Sequence, residues 1–271
     1  MFFKNIPIER ELYMNKNYFF NLFPKEDEYL IASIWEDLLL CLDIDYPVYG
    51  SIFLPPHIWI KVSEFLKTTN LKILTFGLTE ISEKKLIIFV PKNFDYNNVE
   101  SIVTHFKIDC SNKFKTLHHK DFLGTIMSLG LKRETLGDIL VKDNIGYCVS
   151  TKEIFKIIET NLKQINSIPS KISEISSTDI PNIQFKEFIE TVSSFRLDSI
   201  VASIANISRS VSIDLIDSGD VFINYNVEKS KNKQIEIGTI ITIRKKGKFI
   251  LDKNLGENKK GKFKILIKQY T

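Results

Sequence analysis

At 271 residues, with 44% hydrophobic and 26% charged residues, the chain has the composition of a folded globular protein with room for two or three small domains. Its formal net charge of +4 excludes a uniformly polycationic protein, yet residues 196–271 hold 15 Lys and Arg against 8 Asp and Glu, while residues 1–195 hold 22 against 25. That asymmetry points to a polyanionic partner for the C-terminal part. Cys41, Cys110 and Cys148 are far apart and odd in number, so they suggest neither a disulfide framework nor a metal site and suit a reducing compartment. No apolar run approaches the roughly 18 residues of a membrane span, and the start of the chain turns polar at once. The expectation is a cytoplasmic protein without a membrane partner.

In chain order, residues 1 to about 45 read as mainly helical. Leu30, Ile31, Ile34, Trp35, Leu38, Leu39 and Leu42 give Asp27–Leu42 a wide apolar face that needs a partner. Pro47–Leu54 suits a strand, Pro55–Thr68 a helix with proline at its start, and Leu71–Leu78 and Lys85–Val90 two further strands. Ser101–Ile108 is expected to pair with Lys85–Val90. A helix through Phe122, Leu123, Ile126 and Met127 ends at Gly130, and a basic turn leads through Gly137-Asp138 into a strand. Gly146–Val149 would pair with it, and Ser150 or Thr151 would cap a helix to about Leu162. Asp121, Gly124 and Gly137-Asp138 read as fold determinants: a cap, a close helix approach and a tight turn. Ile165–Phe185, with Pro169 and Pro181, lacks periodicity, and part of it is expected to be a linker.

The C-terminal part is the most informative. Leu197, Ile200, Val201 and Ile204 make one apolar stripe at helical period. Ser208 suits an N-cap for a second helix carrying Val211, Leu215 and Ile216, and Gly219 closes it. Short strands are expected at Asp220–Asn224, Lys233–Ile237, Thr239–Ile243, Lys248–Leu251 and Lys262–Ile267. The chain uses Lys for most of its cations and keeps only five arginines, Arg10, Arg133, Arg196, Arg209 and Arg244. A planar guanidinium matches phosphate geometry, and three of the five lie in this part. Arg196, Ser208, Arg209 and Ser210 are the candidate RNA contacts on the helix pair. Arg244, Lys245, Lys246 and Lys248 around Gly247 would press on a phosphate ridge, with Lys259, Lys260 and Lys262 adding a weaker contact. His119, Lys120, Lys132 and Arg133 are a candidate second RNA surface. The bland alternatives are an Arg–carboxylate pair at Arg196 and a solvated face for the lysine runs. Asp198 is read as orienting an arginine or capping its helix. His118 and His119 lack a ligand partner at metal spacing, so neither metal nor cofactor is expected.

Arg196-Leu197-Asp198, Ser208-Arg209, Leu215-Ile216, Gly219, Val221 and Asn224, in that order, resemble the RNA-binding domain named after the fourth small-subunit ribosomal protein. Gly238 departs from that pattern, being followed by Thr239 rather than Asp. The resemblance widens with His119-Lys120-Asp121-Phe122-Leu123-Gly124, Gly130-Leu131-Lys132-Arg133-Glu134, Gly137-Asp138-Ile139, Ser193–Asp198, Asn224-Tyr225 and Arg244–Phe249, which are similar to the YlmH family. This implies a bacterial, non-catalytic RNA-binding protein, with large-subunit ribosomal RNA and tRNA as partners, acting in ribosome-associated quality control. A monomer is expected, without a small-molecule substrate. The expected fold is multi-domain α+β. An N-terminal helical α+β sandwich spans residues 1–112, a small central α+β domain with the linker 113–184, and a helix-turn-helix with a small curled sheet 185–271. Two alternatives stand beside it. Pseudouridine synthases carry a catalytic Asp in an Arg-Leu-Asp triplet, but only 73 residues follow Asp198, too few for the rest of that fold. An adaptor for cell division is the other.

Overall fold

The structure, a computed structural model, describes residues 16–24, 26–95, 102–110 and 115–270. The helical expectation for residues 1–15, which include Arg10, and the strand start at Ser101 lie outside the described residues. The chain forms two compact units, Met1–Pro181 and Asn182–Thr271, and the fold is mixed α and β in both.

The first unit is built on two antiparallel sheets. Helix α1 (Lys16–Asn21) precedes α2 (Glu28–Ile44), whose N-cap Asp27 accepts the amides of Tyr29 and Leu30 at 2.8 and 3.2 Å. Strand β1 (Val48–Leu54), helix α3 (Pro56–Phe65), β2 (Leu71–Phe76) and β3 (Lys85–Pro91) follow, and the sheet order is β1-β3-β2. All seven residues of β3 are buried, so the strand must be covered on both faces. Ile87 and Phe89 face Trp35, Leu38, Ile58 and Val62 of the helices. Leu86, Ile88 and Val90 face the other way, onto Phe53, Val103 and Val149.

Val103 and Val149 belong to the second sheet. This contains β4 (Val103–Asp109), β5 (Leu136–Lys142), β6 (Ile145–Thr151) and β9 (Lys171–Glu174) in the order β5-β6-β4-β9. Its far face packs on α4 (His119–Met127) and α5 (Lys152–Asn161) through Phe106, Phe122, Ile126, Phe155 and Ile158. The unit is therefore layered helix, sheet, sheet, helix. The expected pairing of β4 with β3 does not occur, because a strand has two edges and β3 has given both to β1 and β2. β4 instead pairs with β6 and β9.

More of Ile165–Phe185 is structured than its aperiodic sequence suggests. It holds β9 and most of a small hairpin, β7 (Gln164–Ile165) with β8 (Ile168–Pro169), and buries Ile165, Ile168 and Ile180. Each element is too short to display a period.

The glycines separate by what surrounds them. Gly124 does not mark the close helix approach expected of it, since a Cβ there meets nothing within 4 Å. The close approaches are on the strands: a Cβ on Gly146 would lie 2.6 Å from the Phe122 ring, and one on Gly137 2.4 Å from Val149 Cγ1. Asp138 is not merely a turn residue, since its Oδ2 accepts the amides of Glu83 and Lys84 at 2.7 and 3.2 Å and so ties the β2–β3 loop to the second sheet.

In the second unit, β10 (Phe185–Val192), β11 (Val221–Ile223), β12 (Asn226–Val227), β13 (Ile240–Ile243), β14 (Gly247–Glu257) and β15 (Phe263–Tyr270) form one sheet of order β10-β15-β14-β13-β11-β12. Helices α6 (Leu197–Ile204) and α7 (Arg209–Asp217) cross at 112° and bury Leu197, Ile200, Val201 and Ile216 against Ile241, Ile243, Phe249, Leu251, Ile265 and Ile267. The expected strand at Lys233–Ile237 is not formed. Its backbone serves the start of α6 instead: the Lys231 and Lys233 carbonyls accept the amides of Asp198 and Leu197 at 3.1 and 2.9 Å. Helix starts carry unsatisfied amides, and this loop satisfies two of them.

Paired substitutions test this packing. Gly146→Ala should lower the stability of the first unit by about 2 kcal/mol through overpacking against Phe122. Gly124→Ala, in open space within a helix, should raise it by about 0.5–1 kcal/mol. Trp35 and Trp59 both lie in this unit, so urea unfolding followed by tryptophan fluorescence reads both. Equal midpoints for the two variants would refute the assigned environments.

Candidate nucleic-acid interface

The helix pair of the second unit is organised by one carboxylate. Asp198 is 1% exposed, and a charge so placed must be paired. Arg196 Nε and Nη2 donate to its Oδ1 and Oδ2 at 3.1 and 2.8 Å, a two-point contact. Arg209 Nε and Nη2 both donate to Oδ2, at 3.1 and 3.0 Å. The bonds from Arg196, reinforced by those from Arg209, hold the Asp198 pKa below its usual 3.8 against the opposing effect of burial. Ser212 Oγ donates to the Asp198 carbonyl at 2.8 Å and fastens α7 to α6.

This arrangement joins the two expectations for the arginines. Both are in an Arg–carboxylate cluster, yet the cluster keeps one positive charge in excess and the Arg209 side chain is 51% exposed. Arg209 stands at the first position of α7, where unpaired amides and the helix dipole also favour an anion. Ser208 serves mainly as a cap. Its Oγ accepts the Val211 amide at 3.3 Å and bonds Ser210 Oγ at 2.9 Å. Both residues remain on the exposed side.

Arg244, Lys245, Lys246 and Lys248 lie at the other end of α7. Its nine residues put about 13 Å of helical rise between the two groups. Arg244 Nη1 donates to Asp220 Oδ1 at 2.9 Å, and its guanidinium lies 5.6 Å from the centre of the Phe222 ring. Lys245 takes φ 64° and Gly247 φ 132° in the turn between β13 and β14, where the glycine is the residue without a steric cost. Lys245 and Lys246 are exposed. Lys248 is not: its ammonium sits 4.8 Å from the Tyr225 ring centre and 4.2 Å from that of Tyr270. Burial pushes its pKa down from 10.5 to about 8. Lys259 and Lys260 are exposed in the β14–β15 connection.

In the first unit, His119 and Lys120 open α4 and are exposed, as is Lys132. Arg133 is half-buried and engaged locally, donating Nη1 to the carbonyls of Leu136 and Gly137 at 2.6 and 3.2 Å. Partial desolvation by the surrounding chain, then the Arg133 charge, holds the His119 pKa below its usual 6.5. The cations are therefore unequal: Lys120 and Lys132 are available to an anion, Arg133 mostly shapes the chain, and His119 is largely neutral near pH 7. Lys84, brought beside Arg133 and Asp138 by the loop tie, carries no signal of this in the sequence. Its carboxylate partner lies 54 residues away, a separation no local pattern reveals. Phe222 and Tyr270 escape the sequence reading for the same reason. Among the described residues no group of three His, Cys, Asp or Glu could hold a metal ion.

Asp198→Asn should destabilise the second unit by about 2 kcal/mol, less than for a fully buried pair because both arginines can reach water. The native ion pair contributes fully above the unfolded pKa, near 3.8, and its contribution is lost as pH falls through the lower folded value. Amide hydrogen exchange in α6 and α7 should show the variant opening more readily at pH 7, with the difference shrinking at lower pH. Unchanged exchange at pH 7 would refute the organising role of Asp198.

Residues 91–179 match the family described as "Putative RNA-binding domain in YlmH". Over 215 residues, 79% of this chain and 84% of the other, the sequence is 26% identical to the "Ribosome-associated protein quality control protein P2" of Bacillus subtilis (strain 168). Among solved structures, "Cell division protein ylmH from Streptococcus pneumoniae" superposes with a TM-score of 0.46 at 23% identity, covering 67% of this chain and 100% of that one. Residues 91–179 thus match the RNA-binding domain described for YlmH, and most of the chain is similar to a bacterial protein named for ribosome-associated quality control.

Proposed function

We propose that this protein is a non-catalytic RNA-binding protein that associates with the large ribosomal subunit and with tRNA, in the cytoplasm, during ribosome-associated quality control of stalled chains. The observation that carries the reading is the Asp198-held arginine pair at the start of α7. Two guanidinium groups fixed by a buried carboxylate lose little side-chain freedom when a phosphate arrives, and the excess charge is of the right sign. Lys245 and Lys246, on a tight turn at the far end of α7, offer a second phosphate contact. Structured RNA is recognised largely by shape and backbone, which two cationic points set a fixed distance apart can read. The match of residues 91–179 to an RNA-binding family supports the reading. So does the B. subtilis relative, which is named for ribosome-associated protein quality control. In the central part, Lys120 and Lys132 are proposed to steady RNA, with His119 and Arg133 shaping that surface.

Co-sedimentation with purified ribosomal subunits over a salt series tests this. The wild-type protein should pellet with the large subunit and not the small one, with affinity falling as salt rises. Arg209→Ala should weaken binding about tenfold, and the Lys245→Ala/Lys246→Ala double variant should reduce the slope of log affinity against log salt by about 1.5. Equal binding of all three proteins would refute the assigned surface, and binding to neither subunit would refute the function.

A further inference from the structure

The face of the second unit's sheet that points away from α6 and α7 carries a feature the phosphate contacts do not use. Strand register lines up Phe222, Thr242 and Lys248 across β11, β13 and β14. Phe249 pairs with Gln269, so Lys248 stands beside Tyr270, and Tyr270 pairs with Phe185 of β10. The row Phe222–Thr242–Lys248–Tyr270–Phe185 thus crosses five strands on one face, and each member is half-buried. Its alternating neighbours Ile241, Ile243 and Phe249 point into the core, which fixes the direction of the row.

Two parts of this face are built as platforms. The Arg244 guanidinium lies over Phe222 and is held from the side by Asp220, while its side chain remains 59% exposed. A guanidinium placed over a ring at this distance, with more than half of its side chain exposed, leaves room for another planar group beside it. Tyr225 and Tyr270 flank Lys248, and Tyr270 packs edge-on against Phe185 at 5.0 Å. Tyr225 is also unusual in its backbone. Asn224 and Tyr225 take φ 46° and 69° in the two-residue turn between β11 and β12. Such turns favour Asn-Gly, and a bulky side chain in that second position has a steric cost that glycine lacks. Asn224 secures the turn to β13, its Oδ1 accepting the Ile240 amide at 3.0 Å. The tyrosine ring reaches instead toward Lys248, whose ammonium lies 4.8 Å from its centre.

We infer that this face stacks unpaired RNA bases, on the Phe222–Arg244 pair and on Tyr225 beside Lys248, while Lys245 and Lys246 hold the adjoining phosphates. The inference rests on the RNA-binding function and specifies the form of RNA taken. Planar aromatic and guanidinium groups next to exposed lysines complement a ligand that alternates flat bases with phosphates, the chemistry of a loop or bulge. A paired duplex hides its base faces and cannot use the platforms. The carboxylates on this side are engaged: Asp220 by Arg244, and Asp252 by Lys268, which also lies 3.7 Å from Glu187.

The test uses the full chain with two RNAs: a hairpin carrying 2-aminopurine in its unpaired loop, and a blunt duplex of the same stem. The wild-type protein should bind the hairpin more tightly and quench the 2-aminopurine. Tyr225→Leu and Phe222→Leu, checked for unchanged thermal melting, should each weaken hairpin binding about tenfold and leave duplex binding unchanged. Hairpin and duplex bound equally by the wild-type protein, without quenching, would overturn the stacking assignment while leaving phosphate contact intact. Tight hairpin binding that neither variant alters would overturn it as well. Binding of neither RNA would remove the RNA-binding function and this assignment together.

Discussion

A carboxylate cut off from water has to be neutralised or answered by fixed cations, and Asp198 is answered twice. That one group settles the conformation of Arg196 before α6, the position of Arg209 at the start of α7, and the crossing of the two helices through the Ser212 bond to its carbonyl. Structural and functional readings of these arginines are therefore not competitors. Because the carboxylate supplies one negative charge to two guanidinium groups, the cluster is rigid and still cationic. A single Arg–Asp pair would be rigid and neutral, and a lone arginine would be charged but free to wander.

A similar division of roles runs through the other cations. Lys245 and Lys246 stand out in solvent, whereas Lys248, close by in the chain, is enclosed by aromatic rings and has its proton affinity reduced by burial. Four basic residues that look equivalent along the chain do three different things: Arg244 lies over Phe222, two lysines face solvent, and one sits between two tyrosines. In the first unit the adjacent Lys132 and Arg133 divide in the same manner, the first exposed and the second holding backbone carbonyls.

Helix positions are legible in the sequence because their signals are local. Ser208 as a cap, the apolar stripe from Leu197 to Ile204 and the break at Asn206, with φ 51°, can all be read within a few residues. Pairing is not legible. β4 looks by proximity like a partner for β3, and only the saturation of both β3 edges sends it to β6 and β9. Lys233–Ile237 has strand-like residues, but the start of α6 claims the Lys233 carbonyl first. Gly137 and Gly146 resemble Gly124 in sequence, and the difference lies in side chains that arrive from elsewhere in the chain, Val149 and Phe122. Of the site, the charged residues are visible and their surroundings are not. Asp198 can be suspected of orienting one arginine, but not of holding two.

In the proposed function, RNA meets this protein on the second unit, at both ends of α7. The most direct measurement is photo-crosslinking of the full chain to ribosomal RNA carrying 4-thiouridine, with crosslinked peptides mapped by mass spectrometry. The expected result is crosslinks concentrated in peptides spanning residues 196–210 and 222–248. Crosslinks confined to the first unit, with none in those two stretches, would contradict the claim.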